Sequence, residues 1–307
     1  MAHFNTTHLR RQSFYALPRA HWELLAAPPF SYLDTLNEVD DGIDKNSELA
    51  TSILSSALQS FGLSPAGTMG SQEPEWRGMA TSNDLEKARS TLRQFYRDWS
   101  LEGSAEREAC NGPVIDALHQ ERSVRSSSSM RVLVPGAGLG RLVFDLSCAG
   151  FDTEGNEISY HQLLASSYIL NMCPKAQEHT LFPWVHSFSN HRNRANHLKS
   201  VLVPDVHPAT TLSGVESPGE MSMSASDFLC LYGNEEHRDS FDAVATVFFL
   251  DTAPNVIRYI ETIRNCLRQG GILVNVGPLL WHFENNAPGT HGHEVDSQRG
   301  RGKGRLF

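Results

Sequence analysis

No apolar run in this chain approaches the roughly 20 residues that a membrane span requires. Met1 to Pro18 carries polar and basic side chains where a secretion signal needs an apolar centre. Cysteine is scarce and unpatterned: the five residues Cys110, Cys148, Cys173, Cys230 and Cys266 include no Cys-x-x-Cys pair. That argues against a disulfide framework or a zinc knuckle and for reduced thiols. Positive charge is also short, with 26 basic against 35 acidic residues, a net charge of −9 and a pI of about 5.8. A nucleic-acid or anionic-membrane binder would show a basic face, so neither partner is expected. An intracellular protein is expected, in the cytosol and with the nucleus left open, acting on a small molecule or a protein. At 307 residues and 40% hydrophobic content the chain can bury one large core or two smaller ones. It contains no internal repeat.

The first third reads as helical. In TSNDLEKARSTLRQFYRDW, the residues Leu85, Ala88, Leu92, Phe95 and Trp99 recur at the spacing of one buried helix face. Thr81 or Ser82 can cap its start, with Asp84 and Glu86 in the first turn. HWELLAAPPFSYLDTL and ELATSILSSALQSFGL predict two earlier helices split by prolines and polar loops. Residues 1–122 thus form an N-terminal helical region, and the serine-rich stretch 123–130 a linker. From Arg131 the pattern alternates. RVLVP reads as a strand, Leu139 to Ala149 as a helix, FDTEGNE as a strand and SYHQLLASSYILNM as a helix with Ser159 near its cap. SMSASDF then ends a third strand and FDAVATVFFLD is a buried fourth. APNVIRYIETIRNCLRQ is a helix closed by Gly270 and Gly271, and ILVNVGPL a further strand. Strands alternating with helices imply right-handed crossovers and a parallel sheet covered on both faces, an α/β Rossmann-like class over residues 131–285. The remaining stretch, 286–307, is glycine-rich and basic without apolar periodicity, and is expected to be disordered.

The chemistry is concentrated in VLVPGAGLGRL. Gly136, Gly138 and Gly140 follow the first strand and open a helix, so backbone can approach a ligand where a β-carbon would clash. The glycines alone also fit a tight structural turn. Glu157, about twenty residues on, ends the second strand, where a carboxylate can accept from both ribose hydroxyls. Dinucleotide folds share that carboxylate, but their fingerprint is Gly-x-Gly-x-x-Gly. The spacing here is Gly-x-Gly-x-Gly, which favours S-adenosylmethionine, a cofactor with no phosphate to cradle. Asp227 could accept from the adenine amino group while Phe228 packs on the ring; alone, the pair also fits a solvated turn beside a core aromatic.

VPGAGLGRL, GNEISY, LFPWVHSFSN, PDVHP, SASDF, VFFLDTAPNVIRYIETI and GPLLWHFEN, with RSTLRQFYRDWS before them, stand in the order found in the carnosine N-methyltransferases, which the chain resembles from about Phe14 to Asn285. The resemblance implies a Rossmann-like class I methyltransferase sheet, here C-terminally incomplete, because family members continue beyond the WHFEN block with two more strands. It implies transfer of a methyl group from S-adenosylmethionine to an imidazole nitrogen of carnosine, giving anserine. Another histidine-containing peptide or protein as substrate, and an inactive shortened product, are the alternatives. The resemblance assigns Gln94, Arg97, Gly136, Gly138, Glu157, Asp227, Phe228 and Val247 to the cofactor, with cysteine usual at the position of Val247. It assigns Asp251 and His282 to the substrate. Read without it, Gln94 and Arg97 are a solvated helix face, Asp251 a helix cap and His282 a surface histidine. The implied partner is a small peptide, carnosine or a related histidine-containing dipeptide; a homodimer is left open. His186, His191, His197 and His207 lack zinc-site spacing, so no metal is expected, and their segment reads as an insertion roofing the substrate pocket.

Overall fold

The protein is described here from a computed structural model, which describes residues 4–63, 78–125, 129–278 and 280–285. The expected disordered tail 286–307 lies outside the described residues, as do residues 126–128 of the linker. The chain divides into two compact units. The first comprises Met1–Glu102 and Met172–Val206, the second Gly103–Asn171 and His207–Phe307. Residues 172–206 therefore group with the N-terminal helices.

The first unit carries α1 (Leu9–Tyr15), α2 (Arg19–Ala26), α3 (Tyr32–Ser60) and α4 (Ser82–Trp99). Helix α3 is one element of 29 residues where two were expected. Its polar middle, NEVDDGIDKNSE, does not break it, because Leu36, Val39, Ile43, Asn46 and Leu49 keep one face buried straight through that stretch. Helix α4 starts at a capping box in which Thr81 Oγ1 accepts from the Asp84 N–H and Asp84 accepts from the Thr81 N–H. The short strands β3 (His179–Leu181) and β4 (Val201–Val203) form an antiparallel pair, with the one-turn helix Arg194–His197 between them. Val185 packs with Val39 and Ile43 of α3, and a β-carbon on Gly42 would lie 2.7 Å from its Cγ1.

Asn46 joins α3 to this segment with both ends of its carboxamide, Oδ1 accepting from the Phe182 N–H at 2.7 Å and Nδ2 donating to the Phe182 carbonyl at 2.9 Å. It is 4% exposed. Asn46→Ala leaves both backbone groups without their partner and is expected to cost about 2–3 kcal/mol, read as a lowered urea midpoint at unchanged slope.

His186 gives the unit an acid-sensitive point. Burial, reinforced by Arg89 and Arg93, lowers its imidazole from 6.5 to about 4, and its Nδ1 is buried without a hydrogen-bond partner among the described residues. His197 is shifted the same way, burial again being the largest cause. A folded-state pKa below the unfolded value means that the unfolded chain takes up a proton the fold refuses. Stability is therefore complete above pH 6.5 and falls as pH drops towards 4. Denaturant titrations should show a loss on the order of 2 kcal/mol between pH 7 and pH 5. His186→Asn should flatten that dependence, and an unchanged pH profile would count against it.

In the second unit, the long helix α5 (Ser104–Arg125) leads to β1 (Arg131–Pro135), α6 (Arg141–Cys148), β2 (Asp152–Glu157) and α7 (Tyr160–Ser167). The linker expected from Ser123 is helical to Arg125. After the first unit's α8 (Arg194–His197) come α9 (Pro208–Ser213), β5 (Met221–Ala225), α10 (Phe228–Tyr232), β6 (Phe241–Val247), α11 (Val256–Cys266) and β7 (Leu267–Val276). Strands β5-β2-β1-β6-β7 form one sheet in that order, every pairing parallel. The period-two side-chain alternation sends Val132, Val134, Ala243 and Ala245 to one face, against Val114 and Leu118 of α5 and Leu142, Val143 and Leu146 of α6. Leu133, Phe241 and Val244 face the opposite way, onto Phe228 and Tyr232 of α10 and Ile263 and Cys266 of α11. A parallel sheet buried on both faces is the doubly wound arrangement.

Two elements differ from expectation. Gly270 and Gly271 do not close a helix: α11 ends at Cys266, and the glycines lie inside β7. There Phe241 pairs with Leu267 and Ala243 with Ile272, a bulge for which Gly270 supplies the left-handed φ of +76°. Strand β6 stops at Val247 rather than Asp251, because Phe248 takes φ +54° and Leu250–Thr252 form a 3-10 turn.

Candidate active site

The strand order reverses between β1 and β6, and ligands of such sheets bind at the carboxyl ends of the strands beside that switch point. A cleft of about 350 Å³ lies there, lined in part by Gly136, Asn156, Glu157, Ile158, Asp227 and Phe228. Phe248, Phe249, Thr252 and Tyr259 complete much of its other wall.

The glycines take left-handed φ values of +67° at Gly136, +57° at Gly138 and +76° at Gly140, so the turn needs residues without a β-carbon. Their surroundings differ. A β-carbon at Gly136 would sit 2.6 Å from Phe249 Cδ2 and one at Gly140 2.9 Å from Leu170 Cδ1, whereas at Gly138 nothing lies within 4 Å. Gly136 and Gly140 are therefore packing positions as well as turn positions. Gly138 faces open space.

Glu157 is 6% exposed. Its Oε2 accepts from the Gly138 N–H at 3.0 Å, and its Oε1 from the N–H groups of Ile158 at 2.9 Å and Ser159 at 2.8 Å. Three backbone donors fix the carboxylate in place at the end of β2. Asp227 caps α10, its Oδ1 accepting from the Cys230 N–H at 3.0 Å. Phe228 is 4% exposed and sits within an aromatic cluster, its ring centroid 5.3 Å from Phe249 and 5.4 Å from Tyr259. Burial, with Asp227 contributing next, raises the pKa of Tyr259. Val247 packs against the core cluster, and the following residue, Phe248, is the one that lines the cleft. An open cleft, a glycine turn and two acidic residues at successive strand ends fit a nucleoside-bearing cofactor without phosphate.

Asp251 and His282 come together. His282 Nε2 lies 3.4 Å from Asp251 Oδ2, with the carboxylate side chain 8% exposed and the imidazole 53% exposed. The arrangement is held by the turns that follow the neighbouring strands β6 and β7: the His282 N–H donates to the Asp251 carbonyl at 3.0 Å, and Trp281 Nε1 donates to the Ala253 carbonyl at 2.8 Å. Phe249 and Thr252, on either side of Asp251 in sequence, line the cleft. Asp251 does not cap α11; Asn255 does. Gln94 and Arg97 lie on α4 in the first unit, where Arg97 makes a two-point contact with Asp98, Nε to Oδ1 at 2.6 Å and Nη2 to Oδ2 at 3.3 Å.

Sequence reasoning passed over Asn156, Phe248 and Tyr259. Asn156 stands in GNE beside Glu157, and a polar side chain at a buried strand position was the available signal. The positive φ of Phe248 leaves no trace in sequence. Among the described residues no group of three or more His, Cys, Asp or Glu could hold a metal ion, and no helix is long and apolar enough to cross a membrane.

A family model described as carnosine N-methyltransferase matches residues 74–298. The carnosine N-methyltransferase of Schizosaccharomyces pombe is 40% identical over 296 residues, covering 95% of this chain and 76% of that protein. That of Mus musculus is 38% identical over 279 residues, covering 90% of this chain and 66% of the mouse protein. Among solved structures, a SAM-dependent methyltransferase from Thiobacillus denitrificans in complex with S-adenosyl-L-homocysteine is 16% identical, with a TM-score of 0.35, over 62% of this chain and 54% of that one. So low a score adds nothing to the sheet order.

Proposed function

Since the chain belongs to the carnosine N-methyltransferase family, we propose that it transfers a methyl group from S-adenosylmethionine to an imidazole nitrogen of carnosine, giving anserine. The observation that carries the reading is the Asp251–His282 pair at the carboxyl ends of adjacent strands, next to the cleft that holds the glycine turn and Glu157. Bound in that cleft, the cofactor would supply an electrophilic methyl carbon on a sulfonium. Glu157 accepts from the ribose hydroxyls and Asp227 from the adenine amino group, with Gly136, Gly138 and Phe228 shaping the pocket around them. Gln94, Arg97 and Val247 are assigned to the cofactor by resemblance.

A neutral imidazole nitrogen is already nucleophilic, so most of the rate comes from alignment. Asp251 accepts a hydrogen bond from the other ring N–H, which fixes the tautomer and stabilises the ring cation formed as the N–C bond forms and the C–S bond breaks. His282 holds the substrate ring and takes its proton on to solvent, an exit suited to its exposure. The substrate is a small histidine-containing dipeptide.

Calorimetric titration tests the reading. S-adenosylhomocysteine should bind the full chain with one site per chain, and carnosine should then bind the loaded protein. Failure of folded protein to bind S-adenosylhomocysteine would overturn the cofactor assignment. Binding of the cofactor product without any affinity for carnosine would overturn the substrate.

A further inference from the structure

Asn156 has no role in the mechanism above, yet the residue is 2% exposed and lines the cleft. Parallel pairing of β2 with β5 ends where Glu157 meets Ala225. Past that point the ladder no longer fixes the chain, and Asp227 lies two residues further on. Asn156 bridges the gap. Its Nδ2 donates to the Ser226 carbonyl at 3.0 Å, to Ser224 Oγ at 3.2 Å and, at the limit of bonding, to the Ser224 carbonyl at 3.5 Å. Its own carbonyl accepts from the Ala137 N–H at 2.9 Å, between Gly136 and Gly138. One residue thus ties together the glycine turn, the end of β2 that carries Glu157 and the peptide group before Asp227.

The carboxamide is oriented from behind. Tyr232 donates its phenolic proton to Glu154 Oε1 at 2.6 Å and lies 2.8 Å from Ser224 Oγ, while Ser224 Oγ is 3.3 Å from the Gly155 carbonyl. Tyr232 is fully buried, and burial followed by the Glu154 charge keeps it protonated. The Ser224 proton goes to the Tyr232 oxygen or the Gly155 carbonyl, so towards Asn156 its oxygen is an acceptor. Every acceptor presented to Nδ2 demands a donor, which asparagine supplies and aspartate does not.

We propose that Asn156 is a positioning residue which sets Asp227 relative to Glu157, and so fixes how strictly the site recognises the base of its nucleoside ligand. The proposal rests on the reading that Glu157 holds the ribose and Asp227 the adenine.

The test compares S-adenosylhomocysteine with S-inosylhomocysteine, in which a carbonyl replaces the exocyclic amino donor, by calorimetric titration into the full chain. One hydrogen bond from an amino group to a carboxylate makes the wild type prefer the adenine ligand by roughly 10- to 100-fold. In Asn156→Asp that preference collapses towards unity, because the adenine ligand weakens and the inosine ligand does not. Asn156→Ser, neutral and smaller, gives the same result if the buried carboxylate prevents folding. A purely structural role would weaken both ligands by one factor and preserve the preference, which would overturn the proposal. Tight binding of both ligands by wild type without discrimination would also overturn it, by removing the Asp227–adenine contact. Binding of neither ligand by folded wild type would instead refute the cofactor reading on which it rests.

Discussion

Asp251→Asn is expected to lower kcat for carnosine by roughly 10²- to 10⁴-fold, the range of a lost proton-handling or tautomer-fixing carboxylate, and to leave S-adenosylhomocysteine affinity near the wild-type value. The side chain is almost enclosed, and among the described residues its Oδ2 lies 3.4 Å from His282 Nε2. Asparagine preserves the shape of the group and the backbone tie from the His282 N–H to the residue 251 carbonyl. On the proposed mechanism it removes the negative charge that would stabilise the ring cation, and it can turn an N–H₂ towards the ring N–H where an acceptor is required. The effect therefore appears in kcat at saturating substrate. His282→Ala acts in the same direction by a smaller factor, since that imidazole is half exposed and water can replace its proton exit. A wild-type turnover rate in Asp251→Asn, with near-ultraviolet circular dichroism unchanged, would remove Asp251 from the mechanism.

Glu157→Ala is expected to weaken S-adenosylhomocysteine binding by roughly 10²- to 10³-fold, because the two proposed ribose hydrogen bonds to a charged acceptor would be lost at about 1.5–3 kcal/mol each, less than fully additively. The substitution also deprives the Gly138, Ile158 and Ser159 N–H groups of their acceptor, so the apparent melting temperature falls even without ligand. The two consequences separate by titration. Loss of affinity in protein that is still folded at the assay temperature reports the ribose contact, and a lowered melting point with unchanged affinity would assign Glu157 to the turn alone.

Much of the second unit was legible because its determinants are local. The apolar runs of β1 and β6, the glycine turn and the acidic end of β2 each stand in a few consecutive residues, and the spacing of the turn separates a dinucleotide site from a sulfonium cofactor site. Asp251 and His282 are assigned together by resemblance; the alternating pattern does not say which strands are neighbours, and it is the pairing of β6 with β7 that brings the two together. What the pattern could not supply were features decided by tertiary contact. Helix α3 continues through a polar stretch because Asn46 and its apolar neighbours face β3 and the residues after it. Gly270 and Gly271 serve a bulge whose demand comes from the facing strand. Phe248 reaches the cleft through a backbone conformation that no residue type announces. Asn156 bonds to residues 68 and 70 positions away, a distance over which sequence spacing carries no information.

The central claim, that this chain methylates the imidazole of carnosine, is tested most directly by incubating the purified protein with carnosine and S-adenosylmethionine carrying an isotopically labelled methyl group. The products are then separated and weighed by mass spectrometry. The account predicts label in a product that co-elutes with anserine, released in step with S-adenosylhomocysteine and absent for β-alanyl-alanine, which has no ring. Unlabelled carnosine after prolonged incubation with folded, cofactor-loaded protein would contradict it.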